Sequence, residues 1–435
     1  MTTPNESEIE IQWLKFEMLP QLLKNRKLIA DIEDNDFQQF HIRDIQIRFV
    51  GTEEAFMMTK CYRARLTYDF KGSTSELNFF VKKTPPLPQN VYDSINFKAL
   101  FTNELQAYDK IIPSLEECGN INLKTVKFYH GELKTNSATL ITEDFSCHGW
   151  KLTEGMANLS LEHTLLAMKY LAKFHAAGFA LRAKDKKRFE QLTEGLMESR
   201  YANQEVHPQL LLQVQCGHER IFQACREYQK DIPEEFVKKF NALFIEMAEY
   251  GRRLVQPVEP FVTLCHGDYL RNNVAFKYGQ EEEKDKPLEI MMFDLQTLRV
   301  TSPMYDVTTF LGLSTFAEVR QAHFKEIFDA YCEQLRASYE QIVRETSPDF
   351  MSHESLLKEF IRFFPNAVFT SSWFLPQLVQ PLEISMAEML TQQLTNEEII
   401  HDCMTRGGVV TDRELAHQMK ELYHLVQKYN VNIFQ

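Results

Sequence analysis

Residues 264–276 read Leu-Cys-His-Gly-Asp-Tyr-Leu-Arg-Asn-Asn-Val-Ala-Phe, a polar stretch between two short apolar runs. His266, Asp268 and Asn273 fall in what that pattern marks as a loop joining two strands. A second apolar run, Ile290-Met291-Met292-Phe293, ends in Asp294. Phosphoryl transfer from a nucleotide needs one carboxylate beside the acceptor hydroxyl, and an amide plus a second carboxylate to hold magnesium. Asp268 has the place of the first. Asn273 and Asp294 offer the hard oxygen ligands that suit Mg²⁺.

Upstream, Lys82 closes the strand-like run Phe79-Phe80-Val81, from which it could reach nucleotide phosphates. Its neighbour Lys83 shows the plainer alternative, a solvated lysine at a strand end. In the next helical segment Phe97, Phe101, Leu105, Tyr108 and Ile112 form an apolar face, and Glu104 falls on it. A carboxylate on a buried face is costly unless paired, and Lys82 is the cation expected to pair with it. Glu143-Asp144-Phe145 follows the strand Thr139-Leu140-Ile141, where backbone groups would suit an adenine edge. A glycine-rich phosphate loop of the protein-kinase type is missing, since Gly51-Thr52-Glu53-Glu54-Ala55 has a single glycine.

Several nearby residues have two readings. His266 is expected to hydrogen-bond its own loop rather than act as an acid. Asp306, before the apolar helix start Val307, Phe310, Leu311, caps that helix or braces the catalytic loop. His175 shares an apolar face with Leu165, Met168 and Leu171, so a satisfied core histidine is the default. Arg271 and Lys277 are electrostatic helpers or surface charges. Cys265 is read as a small apolar strand end, not a nucleophile.

Around these residues the 435-residue chain is long for one domain and ordinary for two lobes sharing a cleft. A net charge of −13 argues against a nucleic-acid partner, whose phosphates it would repel. The amino terminus lacks the basic and apolar regions of a signal peptide, and no apolar run reaches the roughly eighteen residues of a membrane span. Eight scattered cysteines without a CxxC pair read as reduced thiols of a cytoplasmic protein. Apolar spacing predicts an opening helix over 9–28. Alternation predicts three strands between 42 and 82, with turns at Gly51-Thr52-Glu53-Glu54 and Lys71-Gly72-Ser73. A helix over 94–112 should close at Pro113, and strands at 125–129 and 137–142 should join through His130-Gly131-Glu132. The charged run 281–287 reads as a hairpin loop, and from Ser160 the chain is mostly helical.

As a set, FVKK (80–83), the Glu104 helix, LITEDF (140–145), LAKFHA (171–176), HGDYLRNN (266–273), FDLQ (293–296) and SPMYDV (302–307) resemble the ecdysteroid-kinase-like family. That family is similar to choline kinases and aminoglycoside phosphotransferases. The resemblance spans about 35 to 315 and implies an α+β, two-lobed protein-kinase-like fold. It implies an N-terminal helical extension over 1–35, a small β-rich N-lobe over 36–145 binding nucleotide, and a larger helical C-lobe over 146–435. It further implies ATP and Mg²⁺ as cofactors, Asp268 as base, Asn273 and Asp294 as metal ligands, Lys82 as the ATP lysine and Glu104 as its partner. The expected acceptor is an apolar alcohol, an ecdysteroid or a xenobiotic. The alternatives are a choline- or aminoglycoside-type kinase with a polar acceptor, or a catalytically silent relative that binds a lipophilic ligand. The run Phe363 to Phe374, aromatics interleaved with hydroxyls, is an acceptor pocket or ordinary helix core. At 55–59 the chain departs from the family's small phosphate loop. The sequence does not speak to oligomeric state.

Overall fold

The computed structural model describes residues 6–29, 36–51, 58–134, 137–155, 157–202, 208–280, 284–381 and 394–434. Residues 52–54 of the expected turn, most of the departing loop at 55–59 and the tip of the hairpin at 281–283 lie outside the described residues. Two compact units emerge, one from the residues before 93 together with 126–150, the other from 93–125 with 151 onward.

In the first unit the opening helix consists of α1 (Glu6–Trp13), a π-helical turn (Leu14–Met18) and α2 (Leu19–Lys24). Pro20 stands in the first turn of α2, where its missing N–H leaves no bond unmade. Leu14, Met18, Leu19, Leu22 and Leu23 are buried with Ile45, Tyr62, Leu66, Phe79, Val81 and Ile141 in one cluster. Each such side chain removed from water contributes about 1.5–3 kcal/mol. The helix is therefore one wall of the sheet's core. Phe16, placed on the apolar face by spacing, is exposed, because the wide π turn rotates it off that face.

The sheet joins β1 (His41–Val50), β2 (Lys60–Phe70), β3 (Ser73–Lys83), β4 (Phe128–Glu132) and β5 (Thr139–Glu143) in the order β1-β2-β3-β5-β4, all antiparallel. Strand alternation sends Phe79 and Val81 into the helix-covered core and Lys82 to the opposite face. Lys83, one step on, returns to the helix side. Its ammonium lies 4.3 Å from the centre of the Trp13 ring and donates to Thr139 Oγ1 at 3.2 Å. Burial holds its pKa below the ordinary lysine value. The two adjacent lysines thus serve different faces, and Lys83 is structural rather than solvated. The expected turn at His130-Gly131-Glu132 is instead strand. These residues pair with Ile141, Leu140 and Thr139, and the register shifts between Phe128 and His130, just ahead of them.

The second unit begins in α3 (Gln89–Ile95) and continues through α4 (Phe97–Gln106), a π turn (Ala107–Ile111) and α5 (Ile112–Gly119). Pro113 does not close the helix as expected. It sits in the first turn of α5, where the preceding π turn has already shifted the hydrogen-bond frame. There follow α6 (Leu161–Lys184), α7 (Lys186–Thr193), α8 (Pro208–Tyr228), α9 (Glu234–Ala242) and α10 (Met247–Leu254). The two-stranded pairs of β6 (Thr263–Cys265) with β9 (Arg299–Thr301), and of β7 (Val274–Tyr278) with β8 (Pro287–Met292), interrupt the helices. Behind them lie α11 (Met304–Ser314), α12 (Ala317–Val343) and α13 (His353–Val379), then α14 (Asn396–Thr405) and α15 (Gly408–Tyr429). Every residue of α11 is buried, as a helix apolar on all sides requires. A small sheet-based unit and a larger helical one give the α+β class expected.

The aromatic run 363–374 proves to be helix core. Phe369 stacks on Phe244 with centroids 4.0 Å apart, Ser371 Oγ donates to the Gly312 carbonyl, and Ser372 Oγ to that of Phe369. The hydroxyls satisfy backbone groups of the interior instead of lining a cavity.

Candidate active site

Two short strand pairs hold the loop 266–273 at both ends. Leu264 pairs with Val300 ahead of it, and Val274 with Met292 behind it. Gly267 has φ +82°, and a Cβ there would lie 2.1 Å from the Thr297 carbonyl oxygen, so only glycine fits. Asp306 braces the loop from the first turn of α11, accepting the His266 N–H at 2.6 Å on Oδ2 and the Gly267 N–H at 2.8 Å on Oδ1. Oδ2 also meets His175 Nε2 at 3.1 Å, and His175 Nδ1 meets the Tyr331 hydroxyl at 2.8 Å. His175 is thus the satisfied core histidine expected, with the added role of joining α6 and α12 to the brace.

The same network fixes His266. Its Nε2–H donates to the Phe293 carbonyl at 2.9 Å, and its Nδ1 accepts the Asp268 N–H at 3.3 Å. That tautomer ties the loop to the segment leading into Asp294. Burial acts to raise the Asp306 pKa, yet the hydrogen bond and charge of His175, with His266 and the Gly267 N–H, outweigh it and leave the pKa below the usual carboxylate value. Cys265 is fully buried and donates to the Ser302 carbonyl at 3.3 Å, while burial pushes its thiol well above the ordinary pKa. A thiol so held is no nucleophile. His175, Cys265 and Asp306 present ligand-type atoms within 4.8 Å of one another. Each already has its own hydrogen bonds, so the cluster is a brace.

Asp268 stands at the solvent edge of this loop with its side chain 18% exposed. Asn273 Nδ2 donates to the Asp268 carbonyl at 2.8 Å and to its carboxylate Oδ2 at 3.1 Å. The Asn273 carbonyl in turn accepts the Phe293 N–H at 3.0 Å, which sets Asp294 beside Asn273. Asp294 takes a left-handed backbone (φ +62°), and its N–H donates to the Tyr108 hydroxyl at 3.0 Å. With its amide N–H₂ directed at Asp268, Asn273 keeps an amide oxygen for a cation, and Asp294 adds an anionic one. The donor set fits magnesium. Glu104, 3% exposed on α4, joins this neighbourhood through Tyr108. Burial, then the charges of Glu104 and Asp294, push the Tyr108 hydroxyl well above its ordinary pKa.

Lys82 and the segment 143–145 belong to the first unit. Lys82 is 8% exposed, not a free surface charge. The N–H groups of Glu143 and Asp144 bond the Lys127 and Asn78 carbonyls, at 2.8 and 3.0 Å. The Asp144 carboxylate pairs with Arg63 and accepts from Ser146. Arg271 is not a surface charge. It is buried, donating to Thr153 Oγ1 at 2.7 Å and the Thr153 carbonyl at 2.6 Å, while Nη1 has no partner among the described residues. Burial lowers its pKa to about 10. Lys277 is half-buried on β7.

Arg200 was not singled out by the sequence. It lies in the irregular segment after α7 and its Nη2 pairs with Asp268 Oδ1. No motif marks it, because the contact crosses 68 positions of chain.

The model of the ecdysteroid kinase-like family matches residues 53–343. No curated protein matches the chain in sequence. Among solved structures, an aminoglycoside-3'-phosphotransferase of type VIII is 15% identical, with 79% of this chain and 99% of that one covered and a TM-score of 0.29.

Proposed function

Because the chain belongs to the ecdysteroid kinase-like family, a family of small-molecule kinases, we propose that it is an ATP- and Mg²⁺-dependent kinase acting on the hydroxyl of an apolar alcohol, with an ecdysteroid-type steroid or a xenobiotic as acceptor. The observation that carries this reading is Asn273, whose side-chain amide is bonded to the Asp268 carboxylate while its backbone carbonyl accepts the N–H of Phe293, the residue before Asp294. It supports assigning base and metal ligands to one small neighbourhood.

In this reading Asp268 accepts a hydrogen bond from the acceptor hydroxyl and then its proton. The acceptor oxygen forms a bond to the γ-phosphorus as the bond to the bridging oxygen breaks, and ADP leaves with that electron pair. Asn273 and Asp294 hold magnesium, which neutralises phosphate charge when bound. Lys82 serves the phosphates, and Glu104 supplies the carboxylate that such a lysine needs. The segment 143–145 is assigned to adenine. A cytoplasmic location belongs to the same reading, supported by eight free cysteines. No helix among the described residues is long and apolar enough to cross a membrane.

The test is consumption of ATP with steroid alcohols, choline and aminoglycosides as acceptors, steroid alcohols being expected to give the highest rate. Thermal unfolding tests the metal site separately. At a hundredfold excess over its dissociation constant MgATP should stabilise the fold by about 2.7 kcal/mol. That gain should vanish in Asp294→Ala or with excess EDTA. Stabilisation by ATP that persists without magnesium, or without Asp294, would make the chain a silent nucleotide binder.

A further inference from the structure

We propose that Arg200 is a positioning residue for the base, carried on a strap that ties Asp268 to helix α4. The inference rests on the kinase reading above and adds a residue to it.

The strap is the segment 195–202, which has no regular secondary structure and is held almost wholly by side chains. Asn103 of α4 clasps it at both ends of one residue, with Nδ2 donating to the Met197 carbonyl at 2.8 Å and Oδ1 accepting the Met197 N–H at 2.8 Å. Asn96, just ahead of α4, donates to the Glu198 carbonyl at 3.1 Å. Gln106 at the end of α4 holds the approach, donating to the Leu192 carbonyl at 2.6 Å. Two polar side chains of α4, Asn103 and Gln106, are thus bonded to the strap and its approach. Asn103 also reaches the Gln296 carbonyl at 3.3 Å, two residues past Asp294.

The strap's own residues then aim Arg200. Glu198 Oε1 accepts the N–H groups of Arg200 and Tyr201, at 2.7 and 3.0 Å, and Oε2 lies 3.3 Å from Arg299 Nη1. The Arg299 guanidinium packs over the Tyr305 ring at 4.8 Å, and the hydroxyls of Tyr201 and Tyr305 meet at 3.4 Å. Behind Tyr201, Gly251 has no room for a Cβ, which would fall 2.1 Å from the ring. So braced, the guanidinium of Arg200 meets Asp268 Oδ1 while Asn273 holds Oδ2. A carboxylate gripped on both oxygens has its plane fixed. A base must have that plane set before the acceptor hydroxyl arrives. Because α4 also carries Glu104, the strap gives one helix a hold on both the base and the carboxylate assigned to the ATP lysine.

The expected signature is a loss of turnover without a loss of nucleotide binding. With MgATP and water as acceptor, so that no alcohol need be identified, Arg200→Met should lower kcat by about ten- to a hundredfold, the scale of a misplaced catalytic group. The KM for ATP and the MgATP-induced thermal shift should stay within twofold of the unmodified protein. Arg200→Lys, which keeps the charge and loses the planar fork, should recover part of the rate. Asn96→Gly removes one strap bond at a position whose left-handed φ of +61° glycine accepts, and should lower kcat in the same sense by less. An Arg200→Met rate equal to that of the unmodified protein would overturn the proposal, as would an equal loss in kcat and in MgATP stabilisation. Absence of MgATP turnover in the unmodified protein with water and with the steroid alcohols, choline and aminoglycosides alike would overturn the kinase reading, and the positioning role with it. A thermal double-mutant cycle of Arg200→Met with Asp268→Asn needs no turnover. Non-additive shifts support the grip on Asp268, and strictly additive ones refute it whatever the activity.

Discussion

Asp268→Asn should leave a folded protein that binds MgATP and turns over at a thousandth of the original rate or less, about the upper range for losing a general base. The change is nearly isosteric. The loop around it is held by His266, Gly267 and Asp306 through bonds that do not involve the Asp268 carboxylate. Its backbone partners persist too, since the Asp268 carbonyl still accepts from Asn273 and its N–H still donates to His266. What disappears is the group able to accept the acceptor's proton. Steady-state turnover beside a melting curve with MgATP checks both halves. Turnover within tenfold of the original would remove Asp268 from the chemistry. A lost MgATP shift would mean that the side chain holds the nucleotide site together instead.

How much of this was legible in the chain depends on how local each signal is. The loop 266–273 was readable because Asp268, Asn273 and the two flanking strands lie close together in the chain, and Asp294 follows the partner strand. Strand alternation puts Lys82 and Lys83 on opposite faces, a difference the sequence reading, which took Lys83 as a plain solvated lysine, did not draw. The sequence could not tell that Lys83 is buried against Trp13, since that contact joins a strand to a helix 70 positions earlier. Pro113 and His130-Gly131-Glu132 misled for one reason: proline and glycine punctuate a chain only when the local frame is regular. Here a π turn precedes the proline, and the glycine sits in a paired strand position opposite Leu140. The run 363–374 carried the composition of a pocket and the periodicity of a core, and packing decided for the core. Arg200 was beyond any motif, because its role is made by Asn96, Asn103 and Glu198 rather than by its neighbours in sequence.

The brace behind the loop leads to the second large effect. Asp306→Asn should destabilise the fold by about 3–5 kcal/mol at neutral pH, the range for breaking a buried, hydrogen-bonded charge network. Its carboxylate accepts two backbone N–H groups and contacts His175, all without access to water. An asparagine there can accept with only one oxygen and turns an N–H₂ group toward donors. The folded-state pKa of Asp306 is depressed, so its contribution is complete above the ordinary carboxylate value of about 4 and is lost as pH falls through the lower folded value. The stability gap between the unmodified protein and Asp306→Asn should therefore be widest from neutral pH down to about 4 and narrow below it, as the native carboxylate takes up its proton. Chemical denaturation at a series of pH values measures the gap directly. A gap that stays constant into strong acid would show that shape, not charge, is what Asp306 gives the loop, and the turnover of the variant would then fall only as far as its folded fraction does.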